Sequence, residues 1–74
     1  MITEFKVDRK VVNKQTGEEY YVIVDDFANE AYIRCSYIGG DIPIGSICRW
    51  KMTPAIFENR AYIRYKFLGI VKKG

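Results

Sequence analysis

The segment Lys51-Met52-Thr53-Pro54-Ala55-Ile56-Phe57-Glu58-Asn59-Arg60 decides how the rest of the chain is read. Thr is a good helix N-cap and Pro suits the first helical position. Thr53-Pro54 is therefore expected to open a short helical turn that runs to about Glu58. Upstream, Cys48, Trp50 and Met52 alternate with Ile47, Arg49 and Lys51, the period of a half-buried strand over about residues 46–52. Downstream, Ala61, Ile63, Tyr65 and Phe67 alternate with Tyr62, Arg64 and Lys66. That defines a last strand over about residues 60–71, which Gly69 is expected to kink.

Three further strands precede this pair. Over about residues 3–12, Phe5, Val7 and Val11 alternate with Lys6, Asp8 and Lys10, while Arg9 interrupts the apolar side. Asn13-Lys14-Gln15-Thr16-Gly17 is a turn, because Asn bonds its own backbone and Gly accepts a positive φ. A bulge at Gly17 would let Val7 and Val11 share a face with Tyr20, Val22 and Val24 of a second strand, about 18–25. Asp25-Asp26 then reads as an Asx turn, since adjacent carboxylates on a strand point to opposite faces. A third strand, about 31–38, places Ala31, Ile33, Cys35 and Tyr37 on one side and Tyr32, Arg34 and Ser36 on the other. Gly39-Gly40-Asp41 ends it, and Pro43 and Gly45 prolong the loop. The expected inward set is Phe5, Val7, Val11, Val22, Val24, Ile33, Cys35, Trp50, Ile63, Tyr65 and Phe67.

This element order resembles that of a small SH3-like barrel. The expectation is an all-β, five-stranded SH3-like small barrel, with one short helical turn before the last strand, forming a single domain over residues 1–74. An OB-type barrel would instead carry its helix between the third and fourth strands, where this chain has a Gly/Pro loop.

Composition narrows the chemistry. The chain has 74 residues, 49% apolar and 28% charged, too apolar for disorder. No apolar run reaches the ~18 residues of a membrane helix. Residues 1–9 are charged where a signal peptide would be apolar, so the expected location is cytoplasmic. There is no His, which removes the commonest general base and metal ligand. Cys35 and Cys48 form no CxxC pair and read as free thiols. Gly39-Gly40 lacks the Lys-Ser/Thr of a phosphate loop. Neither an enzyme nor a metal or cofactor site is expected.

The sequence also echoes itself. Phe27-Ala28-Asn29-Glu30-Ala31-Tyr32-Ile33-Arg34 aligns with Phe57-Glu58-Asn59-Arg60-Ala61-Tyr62-Ile63-Arg64, and Tyr37-Ile38-Gly39 with Phe67-Leu68-Gly69, without a gap. This is an internal repeat, or one strand recipe used twice.

The net charge of +3 permits an anionic partner. If the third and fourth strands form a hairpin about Asp41, Cys35 faces Cys48 and Arg34 faces Arg49. Like charges opposite one another destabilise a sheet, and an anion would relieve that. The expected function is a small non-catalytic domain that binds DNA or RNA through a basic, Tyr-rich strand face. Arg34, Arg49, Lys51, Arg64 and Lys66 would meet phosphates, and Tyr32 and Tyr62 would stack on bases or sugars. The alternative is a small protein-binding modulator or inhibitor of a larger complex, since exposed Tyr and Arg also anchor protein interfaces. Exposed strand edges allow self-association into a homo-oligomer.

Overall fold

In the computed structural model, which describes residues 1–74, five antiparallel strands form one sheet. They are β1 (Ile2–Val12), β2 (Glu19–Val24), β3 (Glu30–Arg34), β4 (Ile47–Phe57) and β5 (Arg60–Lys72), in the spatial order β3-β2-β1-β4-β5. The only helical element is a single 3₁₀ turn, Cys35–Tyr37. No helix is long and apolar enough to cross a membrane.

The turns form as their residues dictate. Asn13 Oδ1 accepts hydrogen bonds from the backbone N–H groups of Gln15 (2.9 Å) and Thr16 (3.4 Å), and Gly17 takes φ 76°. Asp25 Oδ1 accepts from Phe27 N and Asn29 N, both at 2.9 Å, while Asn29 Nδ2 donates to Asp25 Oδ2 at 3.0 Å. This Asx turn ends β2 and aims the chain back along it as β3.

Residues 53–58 depart from the expectation. They form no helical turn: β4 continues to Phe57, and a two-residue turn at Glu58 (φ 49°) and Asn59 (φ 63°) returns it as β5. Two positive φ values match the twist of the flanking strands, and Asn adopts them readily. Pro54 is tolerated within a strand because β1 has already ended. Met1 and Met52 exchange backbone hydrogen bonds at 3.0 and 2.7 Å, and past Met52 that edge of β4 has no neighbour awaiting an N–H. Residues 53–57 and 60–64 thus project as a two-stranded arm.

The fourth strand does not pair with the third. β4 pairs with β1 and β5, and β3 pairs with β2 alone. The expected facing of Arg34 with Arg49, and of Cys35 with Cys48, is overturned. Arg34 stands opposite Tyr20, Arg49 lies between Glu4 and Gly69, and both cysteines are free. No ladder joins β3 to β5, so the sheet is open. The 3₁₀ turn lies between the third and fourth strands.

The core is Val7, Tyr21, Ile23, Ile33, Ile42, Cys48 and Trp50, flanked by half-buried Phe5, Cys35, Tyr65 and Phe67. Val22 is fully buried, as expected, and Val24 half-buried, although both lie on the opposite face of β2 from Tyr21 and Ile23, so β2 is covered on both faces. The ladder runs Val7↔Ile23 and then Arg9↔Val22, which leaves Asp8 as the extra residue of a bulge. A one-residue shift exchanges the two faces of a strand. The bulge therefore places half-buried Val11 on the face of Tyr20, and exposed Lys10 on the face of Tyr21, its Nζ 5.5 Å from the ring centre. Ile63, also expected inside, is exposed because the arm extends beyond the core. Gly69 (φ 150°) marks the predicted kink, where Arg49↔Gly69 passes to Trp50↔Phe67 and skips Leu68.

Candidate nucleic-acid interface

Partners across an antiparallel ladder share a face. On β4 and β5, one face carries Lys51 opposite Lys66, Thr53 opposite Arg64 and Ala55 opposite Tyr62. On β2 and β3, the same side of the sheet carries Val22 opposite Tyr32 and Tyr20 opposite Arg34. These sets sit at opposite ends of the strand order, yet the sheet curls until its two free edges look across one cleft of about 1130 Å³. Six of the seven expected site residues line it: Tyr32, Arg34, Lys51, Tyr62, Arg64 and Lys66.

Arg49 does not. It lies outside the cleft, with its Nη2 3.5 Å from Glu4 Oε2. Arg49↔Glu4 is a register pair of the β1–β4 ladder, and the sequence distance between them hides it.

The wall of the cleft along β5 consists of six consecutive residues, Tyr62 to Phe67. Successive side chains of a strand point to opposite faces, so an unbroken run means that the strand presents its edge. The β3 wall is likewise the run Tyr32-Ile33-Arg34. The repeated Tyr-Ile-Arg triplets, 30 residues apart, thus become the two facing lips of one opening.

Charge in the cleft is one-sided. Arg34, Lys51, Arg64 and Lys66 line it, and no carboxylate does. Arg34 has one anionic neighbour outside, Glu18, with Nε to Oε1 3.7 Å. Its guanidinium lies 5.8 Å from the centre of the Tyr37 ring. Interaction with Tyr37 first, then Tyr20, and Glu18 less, pushes its pKa above the ordinary arginine value. Lys51, Arg64 and Lys66 form no ion pair.

Aromatic surface is concentrated here too. Tyr20, Tyr32, Tyr37, Tyr62 and Tyr65 line the cleft, five of the six tyrosines in the chain. Tyr20, Tyr37 and Tyr65 were not among the expected site residues, and no signal in the linear order marks them, because the edge-to-edge approach that gathers them is tertiary. Trp50 is fully buried, as expected of a core anchor, and also lines the cleft with its T-shaped neighbour Phe67, ring centres 5.3 Å apart. Its Nε1 is the one buried side-chain polar atom without a hydrogen-bond partner. Leaving such a donor unpaired costs about 1–3 kcal/mol.

The thiols add no chemistry to this surface. Burial raises the pKa of both Cys35 and Cys48, which keeps them protonated and poorly nucleophilic. No three His, Cys, Asp or Glu side chains cluster as a metal site would need. No family model, curated protein or solved structure matches the chain.

Proposed function

We propose that this chain is a small, non-catalytic domain that binds single-stranded DNA or RNA in the cleft between β3 and β5. The observation that carries the reading is the convergence of two Tyr-Ile-Arg edges on one cleft that holds four cations, five tyrosines and no carboxylate. Cations track phosphates, and rings stack on bases whatever their sequence. A duplex covers the faces of its bases and offers the tyrosines nothing to stack on. By analogy, OB-type barrels bind oligonucleotides across their second and third strands and the loops beside them. Here Tyr20, Tyr32 and Arg34 occupy β2 and β3, and the β4–β5 arm flanks them. The free thiols Cys35 and Cys48 accord with a reducing, cytoplasmic setting.

Titration of labelled single- and double-stranded oligonucleotides, at low and at physiological salt, tests this. Four phosphate contacts predict a log–log salt slope of roughly −3 for a single strand, at about 0.7 per contact. Absence of binding at low salt, or binding indifferent to salt, would retire the reading.

The arm favours a second reading, a protein-binding modulator. Ile56 and Phe57 are 78% and 65% exposed at its end, where aromatic and aliphatic side chains can anchor a partner. This reading expects little salt sensitivity, and expects Phe57→Ser rather than Arg64→Glu to abolish binding.

A further inference from the structure

The cleft has a charged rim and an uncharged floor. Arg34, Lys51, Arg64 and Lys66 are exposed at its rim, while Trp50, Ile33 and Phe67 lie beneath them. A phosphodiester chain matches the rim and cannot match the floor. The floor does hold one unsatisfied group, the Trp50 indole N–H. Its aromatic neighbour Phe67, ring centres 5.3 Å apart, offers no oxygen acceptor, and N–H···π contacts are second-order. The flanking edges of β3 and β5 pair with no other strand, so their outward N–H and C=O groups are open as well.

Resting on the single-strand reading above, we infer that Trp50 is a specificity-determining residue: an unstacked base enters between the lips of β3 and β5, and its carbonyl oxygen accepts a hydrogen bond from Trp50 Nε1–H. The phosphates stay outside with the four cations. Trp50 Nε1 is buried, so entry requires the side chains that cover it to move; exposed side chains at the rim change rotamer in picoseconds to nanoseconds. A base thereby satisfies a donor that folding leaves unpaired. An acidic peptide of equal charge could occupy the rim, but it has no uncharged aromatic ring to send to the floor.

Trp50 is the only tryptophan, so the full chain gives one indole ¹H–¹⁵N resonance and one source of indole fluorescence. Three probes of equal length are titrated: an oligothymidylate, an abasic phosphodiester strand and poly-glutamate. Expected results are a downfield shift of the indole proton with oligothymidylate alone, and at least tenfold weaker binding of the other two. Trp50→Phe keeps a ring and removes the donor; it should lower oligothymidylate affinity several-fold and leave the abasic strand unaffected. Should that variant fail to fold, the indole resonance of the native chain still decides. Salt-dependent oligothymidylate binding with an unmoved indole resonance, or an abasic strand bound equally well, overturns this inference and leaves the cleft reading standing. Poly-glutamate bound equally well overturns it in favour of a peptide ligand. Failure of oligothymidylate to bind at low salt removes both.

Discussion

Lys51 and Lys66 stand directly opposite one another in the β4–β5 ladder, and neither has a carboxylate partner. Directly opposed like charges cost a sheet a few tenths of a kcal/mol, up to about 1. Folding alone gives no reason to retain such a pair, whereas an anion lying across it does. Lys66→Glu is therefore expected to raise the urea midpoint slightly while it weakens oligonucleotide binding and reduces the salt slope by about 0.7. A variant that loses both stability and binding would show that Lys66 serves the fold and not a ligand.

The loop that follows the 3₁₀ turn is held from inside the core. Tyr21 Oη accepts a hydrogen bond from Ile42 N at 3.0 Å, and both residues are buried. Tyr21→Phe removes the acceptor and leaves a buried N–H unpaired, an expected loss of about 1–3 kcal/mol. Chemical denaturation measures that loss, and the Ile42 amide should become the most accelerated in hydrogen exchange. Exchange unchanged at Ile42 would mean that apolar packing alone holds the loop.

Asp25 makes the β2–β3 turn sensitive to acid. Its carboxylate pKa is lowered, first by the Asn29 side-chain donor and then by the backbone N–H groups of Asn29 and Phe27, against an opposing desolvation. Because the folded value lies below the unfolded one, the contribution of the turn is complete above about pH 4, the unfolded value. It is lost as the pH falls through the lower folded value. Denaturation midpoints measured from pH 6 downward should therefore fall less steeply in Asp25→Ala than in the native chain. Identical slopes would remove Asp25 as a source of acid lability.

The two cysteines should separate by accessibility. Cys48 is fully buried and Cys35 half-buried, and burial raises both thiol pKa values. Alkylation at pH 8 followed by mass spectrometry should label Cys35 slowly and Cys48 only at the rate of global unfolding. Rapid double labelling would place Cys48 outside the core.

How much of this was legible beforehand depends on the range of the interactions involved. The period of two in residues 46–52 and 60–71 identified β4 and β5, and Gly69 marked the kink. Asn13 and Asp25 announced their turns because each bonds backbone within four residues. The Thr53-Pro54 signal failed for want of context. Thr and Pro suit a helix start, but they also suit a strand whose edge is free, and only the pairing of β4 with β1, which stops at Met52, tells the two apart. Val22 is buried as expected, but it does not share a face with Val7, because the bulge falls at Asp8, within a charged run, and not at Gly17.

The candidate site divides the same way. Its residue types were evident in the alternation of Tyr, Arg and Lys, and the echo of Tyr32-Ile33-Arg34 in Tyr62-Ile63-Arg64 is visible to the eye. Their convergence was not. Arg49, expected in the site, is drawn to Glu4 by the β1–β4 register, while Tyr20, Tyr37 and Tyr65 join the cleft. By itself, the sequence determined that this chain makes five strands and that it turns at Asn13 and at Asp25, since those follow from side-chain period and local hydrogen bonding. Only the tertiary structure decided that β3 and β5 become the two lips of one cleft. That outcome depends on which strands pair, and pairing follows the burial of Val7, Ile23, Cys48 and Trp50 against one another across the whole length of the chain.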